Sequence, residues 1–193
     1  LGTVAFASSG AMLGIERKMD IFGVNVLGAT TAVGGGIMRD IILGLTPPGA
    51  FSHPVYVLVA ALTSTILFVI AYAKPTAFES RVKTDYYDKL MFWCDTAGLG
   101  IFTVVGIQAA VRAVGGENVF FFVFIGTLTG VGGGVLRDIM AGETPYILVK
   151  HIYACAAIAG GIVCVVGRTA FGEAYGTILG LAATGLLRFL AAH

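Results

Sequence analysis

Thr31-Ala-Val-Gly34-Gly35-Gly36-Ile-Met-Arg39-Asp40 is one of two copies of a motif in this chain. The second copy follows 98 residues later as Thr129-Gly-Val-Gly132-Gly133-Gly134-Val-Leu-Arg137-Asp138. Each copy places three glycines and an Arg-Asp pair inside an apolar segment. Because each glycine weakens a helix by about 1 kcal/mol relative to alanine, a repeated glycine triplet indicates a specific structural or functional role.

The composition around the two motifs is that of a membrane protein. Apolar residues make up 57 % of the chain and charged residues 12 %, and the mean hydropathy is +0.91. Soluble domains carry about a quarter charged residues. The segment 54–73 contains no charge at all and is long enough to span a bilayer. The net charge of +1 and the lack of a basic cluster argue against a nucleic-acid partner.

Apolar runs and polar breaks predict an all-α polytopic membrane protein with seven transmembrane helices. They form a single membrane domain over 1–193. We expect residues before Leu1, because the first run is short for a span. The helices are predicted at about 1–15, 20–45, 54–73, 90–111, 118–142, 147–167 and 172–190; repeat one covers about 1–73, a cytoplasmic loop 74–89, repeat two about 90–168, and the last helix about 172–190.

The distribution of Lys and Arg predicts the orientation of these helices. Only Arg112 and Arg168 fall on one side of the membrane, and the other side is expected to be cytoplasmic. The N-terminus is then outside and the C-terminus inside. Three spans per repeat make the two motifs cross in opposite directions, an inverted repeat that places sites near the midplane. The residues on the predicted cytoplasmic side are Arg17, Lys18, Lys74, Arg81, Lys83, Lys89, Lys150 and Arg188.

The glycine triplets have two explanations. Small residues allow membrane helices to pack closely. Three adjacent glycines, however, point in different directions, which favours a kink or an unwound turn that frees carbonyl and N–H groups. We therefore predict pore kinks, with packing alone as the alternative. The kink residues are Gly34, Gly35, Gly36, Gly132, Gly133 and Gly134.

The two Arg-Asp pairs are predicted to be pore charges. An Arg or Asp at the bilayer centre costs about 2.5–3.5 kcal/mol on insertion scales and usually faces a pathway. Adjacent residues do not face each other on a helix, which predicts crossed pairs between the motifs: Arg39 with Asp138, and Arg137 with Asp40. The alternative is that the arginines extend to the membrane surface as interfacial anchors.

Three further polar residues are candidate lining residues. Asp95 begins the fourth predicted span and is either an interfacial residue or a pore acid. Thr31 and Thr129 open the two motifs and are candidates to line a path, although membrane threonines often bond to their own helix.

Enzymatic and metal-dependent functions lack sequence support. The chain has no Gly-x-Ser-x-Gly nucleophile, no His-Glu-x-x-His and no phosphate-binding glycine loop. The selectivity sequence of ordinary potassium channels is also absent. The cysteines and histidines show no metal-ligand spacing. We expect no enzyme activity, no cofactor and no metal site.

At the doubled Gly-Gly-Gly-x-x-Arg-Asp motif, the chain resembles the trimeric intracellular cation (TRIC) channel family, in particular its prokaryotic members. The resemblance covers essentially the whole sequence. It implies a homotrimer in the inner (plasma) membrane, with a potassium- and sodium-conducting pore inside each protomer bounded by kinked second and fifth helices. Carried over, the kinks fall at 34–36 and 132–134, and the pore charges at Arg39, Asp40, Arg137 and Asp138.

Two other functions stay open at this point. Prokaryotic relatives share a domain that has also been described as a glycine transporter, so a secondary transporter of a small amino acid such as glycine is an alternative. A purely structural trimer is a weaker one.

Overall fold

The computed structural model describes residues 1–73, 85–149 and 152–191, apart from the side chains of 85–88. Within these ranges the chain forms nine helices and no strand, which confirms the all-α prediction. The helices are α1 Gly2–Glu16, α2 Ile21–Ile42, α3 Gly49–Ser52, α4 Val55–Ala73, α5 Asp85–Val114, α6 Val119–Met140, α7 Tyr146–Val149, α8 Tyr153–Phe171 and α9 Glu173–Ala191.

Six of these helices are long and apolar enough to cross a membrane, namely α2, α4, α5, α6, α8 and α9. This agrees with the prediction of a polytopic membrane protein. Helix α1 has 15 residues, fewer than the about 20 that a helix needs to span a bilayer. The described residues therefore do not confirm the predicted count of seven spans.

The boundaries of two predicted spans are wrong. Within the described residues, the predicted helix 147–167 corresponds to α7, which ends at Val149, and to the longer α8, which begins at Tyr153. The predicted loop 74–89 lies outside the described residues up to 84, and its last part belongs to α5, which begins at Asp85 rather than at 90.

Helices α2 and α6 begin and end in the same way. Asp20 caps α2 by accepting a hydrogen bond from the Gly23 amide at 2.7 Å. Asn118, 98 positions later, caps α6 by accepting from the Phe121 amide at 3.0 Å. Such caps satisfy one of the free amides of a first helical turn. Beyond the other end of each helix, Gly44 and its counterpart at 142 have φ near +70°, which only glycine adopts readily.

Helix α1 packs on α2, and α5 packs on α6, through equivalent glycines. An added Cβ on Gly10 would lie 2.5 Å from Thr31 Oγ1, and one on Gly106 would lie 2.5 Å from Thr129 Oγ1. Helices α2 and α6 also contact each other directly, while α9 packs on α8 and α5. The two motif helices thus lie at the centre of the molecule, each with its own supporting helix.

Candidate functional site

The glycine triplets form the crossing point of α2 and α6. A Cβ built on Gly35 would lie 2.2 Å from the carbonyl oxygen of Thr129, and one on Gly133 would lie 2.1 Å from that of Thr31. Real Cβ atoms essentially never come within 3.0 Å of another heavy atom. Both positions therefore require glycine because the two backbones touch.

The flanking glycines make a second reciprocal pair of contacts. A Cβ on Gly34 would lie 2.6 Å from Leu136 Cδ1, and one on Gly132 would lie 3.1 Å from Met38 Sδ. The contacted residues Thr31 and Thr129 are 98 positions apart, and so are Met38 and Leu136, so equivalent residues of the two motifs make each set of contacts. The start of each motif contacts the end of the other, so the two helices run in opposite chain directions.

Both triplets lie within uninterrupted α-helix, so the unwound turn is wrong, and close helix packing accounts for Gly35 and Gly133. The helical hydrogen bonds continue through both triplets. The neighbouring helix needs only the space left by the missing side chains and does not need a free backbone group. A bend at 34–36 or 132–134 within continuous helix stays a prediction.

Thr31 and Thr129 lie buried beside this crossing. Each hydroxyl donates to a carbonyl of its own helix, Thr31 to Leu27 at 2.6 Å and Thr129 to Ile125 at 2.7 Å. Both side chains are fully buried or nearly so. In this conformation the hydroxyls are satisfied within their helices, and a lining role stays a prediction.

The crossed Arg-Asp pairing is wrong. Arg39 Nε donates to its sequence neighbour Asp40 at 2.8 Å, and Arg137 Nε donates to Asp138 at 2.8 Å. A second guanidinium nitrogen approaches the same carboxylate in each pair, at 2.7 Å and 2.8 Å. The rule that adjacent residues do not face each other on a helix describes the directions of their Cβ atoms. The rule failed here because each arginine side chain is long enough to bring its guanidinium group to the carboxylate of the next residue.

The second oxygen of each aspartate binds the backbone of the following short helix. Asp40 Oδ2 accepts from the Gly49 amide at 2.8 Å, and Asp138 Oδ2 accepts from the Tyr146 amide at 2.9 Å. Each aspartate therefore joins its arginine to the start of the next segment, α3 in one repeat and α7 in the other.

The two arginines differ sharply in their surroundings. The Arg39 side chain is 15 % exposed, whereas that of Arg137 is 0 % exposed. Arg137 Nη1 donates to Asp95 Oδ1 at 2.8 Å and also to the hydroxyl of Ser9. Asp95 is itself fully buried. A buried arginine with two carboxylate partners satisfies the requirement that charges inside a membrane be paired.

Asp95 also meets a second arginine, which was not predicted as a site residue. Arg188 Nη2 lies 3.8 Å from Asp95 Oδ2, and its Nε donates to Thr96 Oγ1 at 3.2 Å. Its guanidinium carbon lies 4.5 Å from the ring centre of Phe92 and 4.8 Å from that of Tyr153. Arg188 is 6 % exposed, and its predicted place on the cytoplasmic side stays a prediction.

Four residues thus form a line of alternating charge, in the order Arg188, Asp95, Arg137 and Asp138. We call this line the buried charge network. Arg137, Asp138 and Asp95 were predicted as site residues. Ser9 and Arg188 were missed, because a serine in the first helix and an arginine near the chain end carry no distinguishing pattern.

A cavity of about 200 Å³ opens beside the network. Asp138 and Tyr146 belong to its wall, and the Arg137 guanidinium carbon lies 5.4 Å from the Tyr146 ring centre. Glu143, also in the wall, forms an ion pair with Arg17. The cavity is lined by Leu13, Glu16, Met91, Asp138, Glu143, Thr144 and Tyr146. Among the described residues, no three His, Cys, Asp or Glu side chains are grouped to hold a metal.

The arrangement defines an all-α membrane protein with a central crossing of two repeated helices and a buried charge network beside an acidic cavity. Comparison with known proteins agrees with this class. The family described as "Glycine transporter" matches residues 1–72 and 92–169. A UPF0126 membrane protein of Deinococcus radiodurans is 40 % identical over 162 residues, 83 % of this chain and 70 % of the relative.

Two other relatives match nearly the whole chain. The UPF0126 inner membrane protein YadS of Escherichia coli is 37 % identical over 193 residues, 99 % of this chain and 88 % of the relative. The crystal structure of the TRIC trimeric intracellular cation channel orthologue from Rhodobacter sphaeroides is 33 % identical with a TM-score of 0.85, covering 98 % of this chain and 92 % of that one. The chain therefore belongs to the prokaryotic TRIC family. The same chain is similar to relatives described as UPF0126 membrane proteins and to the family described as "Glycine transporter".

Proposed function

We propose that this protein is a cation channel that conducts potassium and sodium through a pathway inside each protomer, bordered by α2 and α6. The observation that carries the proposal is the acidic cavity beside the buried charge network. Similarity to the Rhodobacter sphaeroides TRIC channel orthologue supports it.

The cavity has the charge that a cation entry requires. Glu16, Asp138 and Glu143 contribute carboxylates to its wall, and carboxylates in a cleft attract cations. Asp138 and Glu143 also pair with Arg137 and Arg17, which offsets part of their charge. The cation Arg137 lies directly behind Asp138 and is wholly buried. Its pairing with Asp138 in this conformation offsets the charge of that carboxylate, so breaking the pair would strengthen the attraction of the cavity for a cation.

Planar-bilayer recording with potassium or sodium as the sole cation tests the proposal. Asp138→Asn removes the charge and keeps an oxygen able to accept from the Tyr146 amide. We expect a severalfold lower unitary conductance, because the Asp138 carboxylate attracts the entering cation and its pairing with Arg137 offsets part of that attraction. Absence of current in the wild-type protein would refute the channel, and unchanged current in Asp138→Asn would refute a role of Asp138 in the pathway.

Asp20→Asn is the matched control. Asp20 caps α2 at an exposed position, and asparagine caps helices about as well as aspartate. The equivalent cap of α6 is already an asparagine, Asn118. This variant should conduct like the wild type.

The same proposal includes the assembly and orientation of the protein. We propose an inner-membrane homotrimer with an inverted repeat, seven crossing helices, glycine bends at 34–36 and 132–134, and an external N-terminus. The reciprocal contacts of α2 and α6 in opposite chain directions support the inverted repeat. The mass of the detergent-solubilised protein tests the trimer, and labelling of single cysteines from each side of the membrane tests the orientation.

A secondary transporter of glycine is the second candidate, and the description of the matching family favours it. A transporter site needs an arginine or helix N-terminus free to hold a carboxylate. Arg137 is instead occupied by Asp138, Asp95 and Ser9. Uptake of labelled glycine into proteoliposomes distinguishes the two: saturable uptake without single-channel currents would replace the channel with the transporter.

A further inference from the structure

Arg188 lies at the far end of the buried charge network from Asp138. It comes from α9, the helix that follows both repeats, whereas Asp95 comes from α5. Its side chain is 7 % exposed, so its charge is enclosed by protein and not open to solvent. An arginine that served only as an interfacial anchor would carry its charge into water.

The contacts of Arg188 require a guanidinium group. The group lies against the Phe92 and Tyr153 rings while its Nε reaches Thr96 and an Nη faces Asp95. Stacking on aromatic faces together with directed donors is a property of the planar arginine fork, which lysine lacks. The site is therefore built around arginine at this position.

The network is electrically neutral because Arg188 belongs to it. Arg188 and Arg137 contribute two positive charges, and Asp95 and Asp138 contribute two negative charges. Without Arg188, Asp95 and Asp138 would share one arginine, and the network would have a net charge of −1. A buried charge that loses its partner exerts a strong field, because few water molecules are near to screen it.

We propose that Arg188 is a positioning residue of the conduction site: it holds Asp95 against Arg137 and sets the net charge beside the pathway to zero. This inference rests on the proposed channel function. It assigns to the last helix a direct influence on cation passage, through Asp95.

The net charge of the network predicts the order of the unitary conductances that variants should show in planar bilayers. Arg188→Gln leaves the network at −1, Asp95→Asn leaves it at +1, and the double variant returns it to zero. We expect the unitary potassium conductance of Arg188→Gln to rise roughly two- to fivefold and that of Asp95→Asn to fall by a similar factor. The double variant should return to near the wild-type value.

A structural role alone predicts a different order. If Arg188 only supports packing, both single variants and the double variant lose stability without opposite shifts in conductance, and that result would overturn the proposal. Arg188→Lys should keep the charge and most of the conductance while losing stability. If Arg188→Gln fails to fold, the unitary conductance of the neutral double variant is compared with that of Asp95→Asn. These two variants also differ only at Arg188, so the comparison tests the same effect.

Arg112→Gln is the matched control for loss of an arginine. Arg112 pairs with Glu173 at 3.4 Å, and its side chain is 73 % exposed, so solvent screens its charge. Its removal should leave unitary conductance unchanged. A rise equal to that of Arg188→Gln would mean that total protein charge, not the network, sets conductance.

A stability measurement separates failure of this inference from failure of the proposed function. If the wild-type protein carries no current, thermal unfolding in detergent still tests whether Arg188 acts through Asp95. The Tm losses of Arg188→Gln and Asp95→Asn should then sum to more than the loss of the double variant. Additive losses would show that the two side chains are not coupled, and would refute the positioning role.

Discussion

The contact between α2 and α6 at their glycines gives the sharpest stability prediction. Gly35→Ala would place a Cβ 2.2 Å from the Thr129 carbonyl oxygen, and Gly133→Ala would place one 2.1 Å from the Thr31 oxygen. Ordinary van der Waals contact begins at 3.4 Å. The backbones must therefore separate by about 1.2 Å, because a carbonyl oxygen cannot rotate away as a side chain can.

The expected loss follows from two opposing terms. Overpacking a close contact costs about 1–3 kcal/mol, and the upper end applies where backbone must shift. Replacing glycine with alanine inside a helix returns about 1 kcal/mol. The net loss is about 2 kcal/mol, which lowers the Tm by about 4–8 °C for a chain of this size.

Gly36→Ala is the control within the same triplet. Its Cβ would meet only Arg39 Nη2, at 3.8 Å, so the alanine should raise the Tm. Thermal unfolding in detergent, followed by circular dichroism at 222 nm, compares the three variants. Equal Tm values for Gly35→Ala and Gly36→Ala would refute the reasoning, since only the first position carries the backbone contact.

Three smaller predictions follow from other contacts. Ser9→Ala removes an acceptor from the buried Arg137 and should cost about 1 kcal/mol in unfolding free energy; an unchanged Tm would show that the hydroxyl contributes nothing. Glu143→Gln breaks the exposed pair with Arg17 and should cost less than about 1 kcal/mol, and a loss that persists in about 1 M potassium chloride would contradict its electrostatic origin. Gly44→Ala forces alanine to φ near +70° and should cost about 1–2 kcal/mol by the same unfolding assay; a gain in Tm would refute the strain.

The sequence was sufficient for the membrane class and for much of the site. Apolar runs are a strong signal, since a bilayer excludes unpaired backbone groups and permits long helices. Arg137 and Asp138 were predicted as pore charges because charged residues within a span usually mark a pathway, and that role stays a prediction. Asp95 was left between two explanations, and its contact with Arg137 in the structure places it in the network.

The partners within the site could not be predicted. Spacing along a helix describes Cβ positions, whereas an arginine extends its charge over several rotatable bonds. That freedom lets Arg39 and Arg137 bind their own neighbours rather than cross. It also brings Arg188 inward from a position that, in sequence, resembles a terminal surface charge.

The glycines show a related limit. A triplet in sequence is compatible with a broken helix or with a close crossing, because both need a missing side chain. Only the position of the second helix decides between them. Here Thr129 and Thr31 supply the approaching carbonyls, each from the other copy of the motif.

The unequal burial of Arg39 and Arg137 gives the molecule an internal reference for experiments. Asp40 and Asp138 hold the same kinds of partner, a neighbouring arginine and a backbone amide, yet only Asp138 belongs to the buried charge network. Identical substitutions at the two positions therefore remove the same local contacts, and we expect only the one at Asp138 to disturb the buried charge network as well. Comparing the two variants separates the contribution of the network from that of the local contacts within a single polypeptide, without recourse to a second protein.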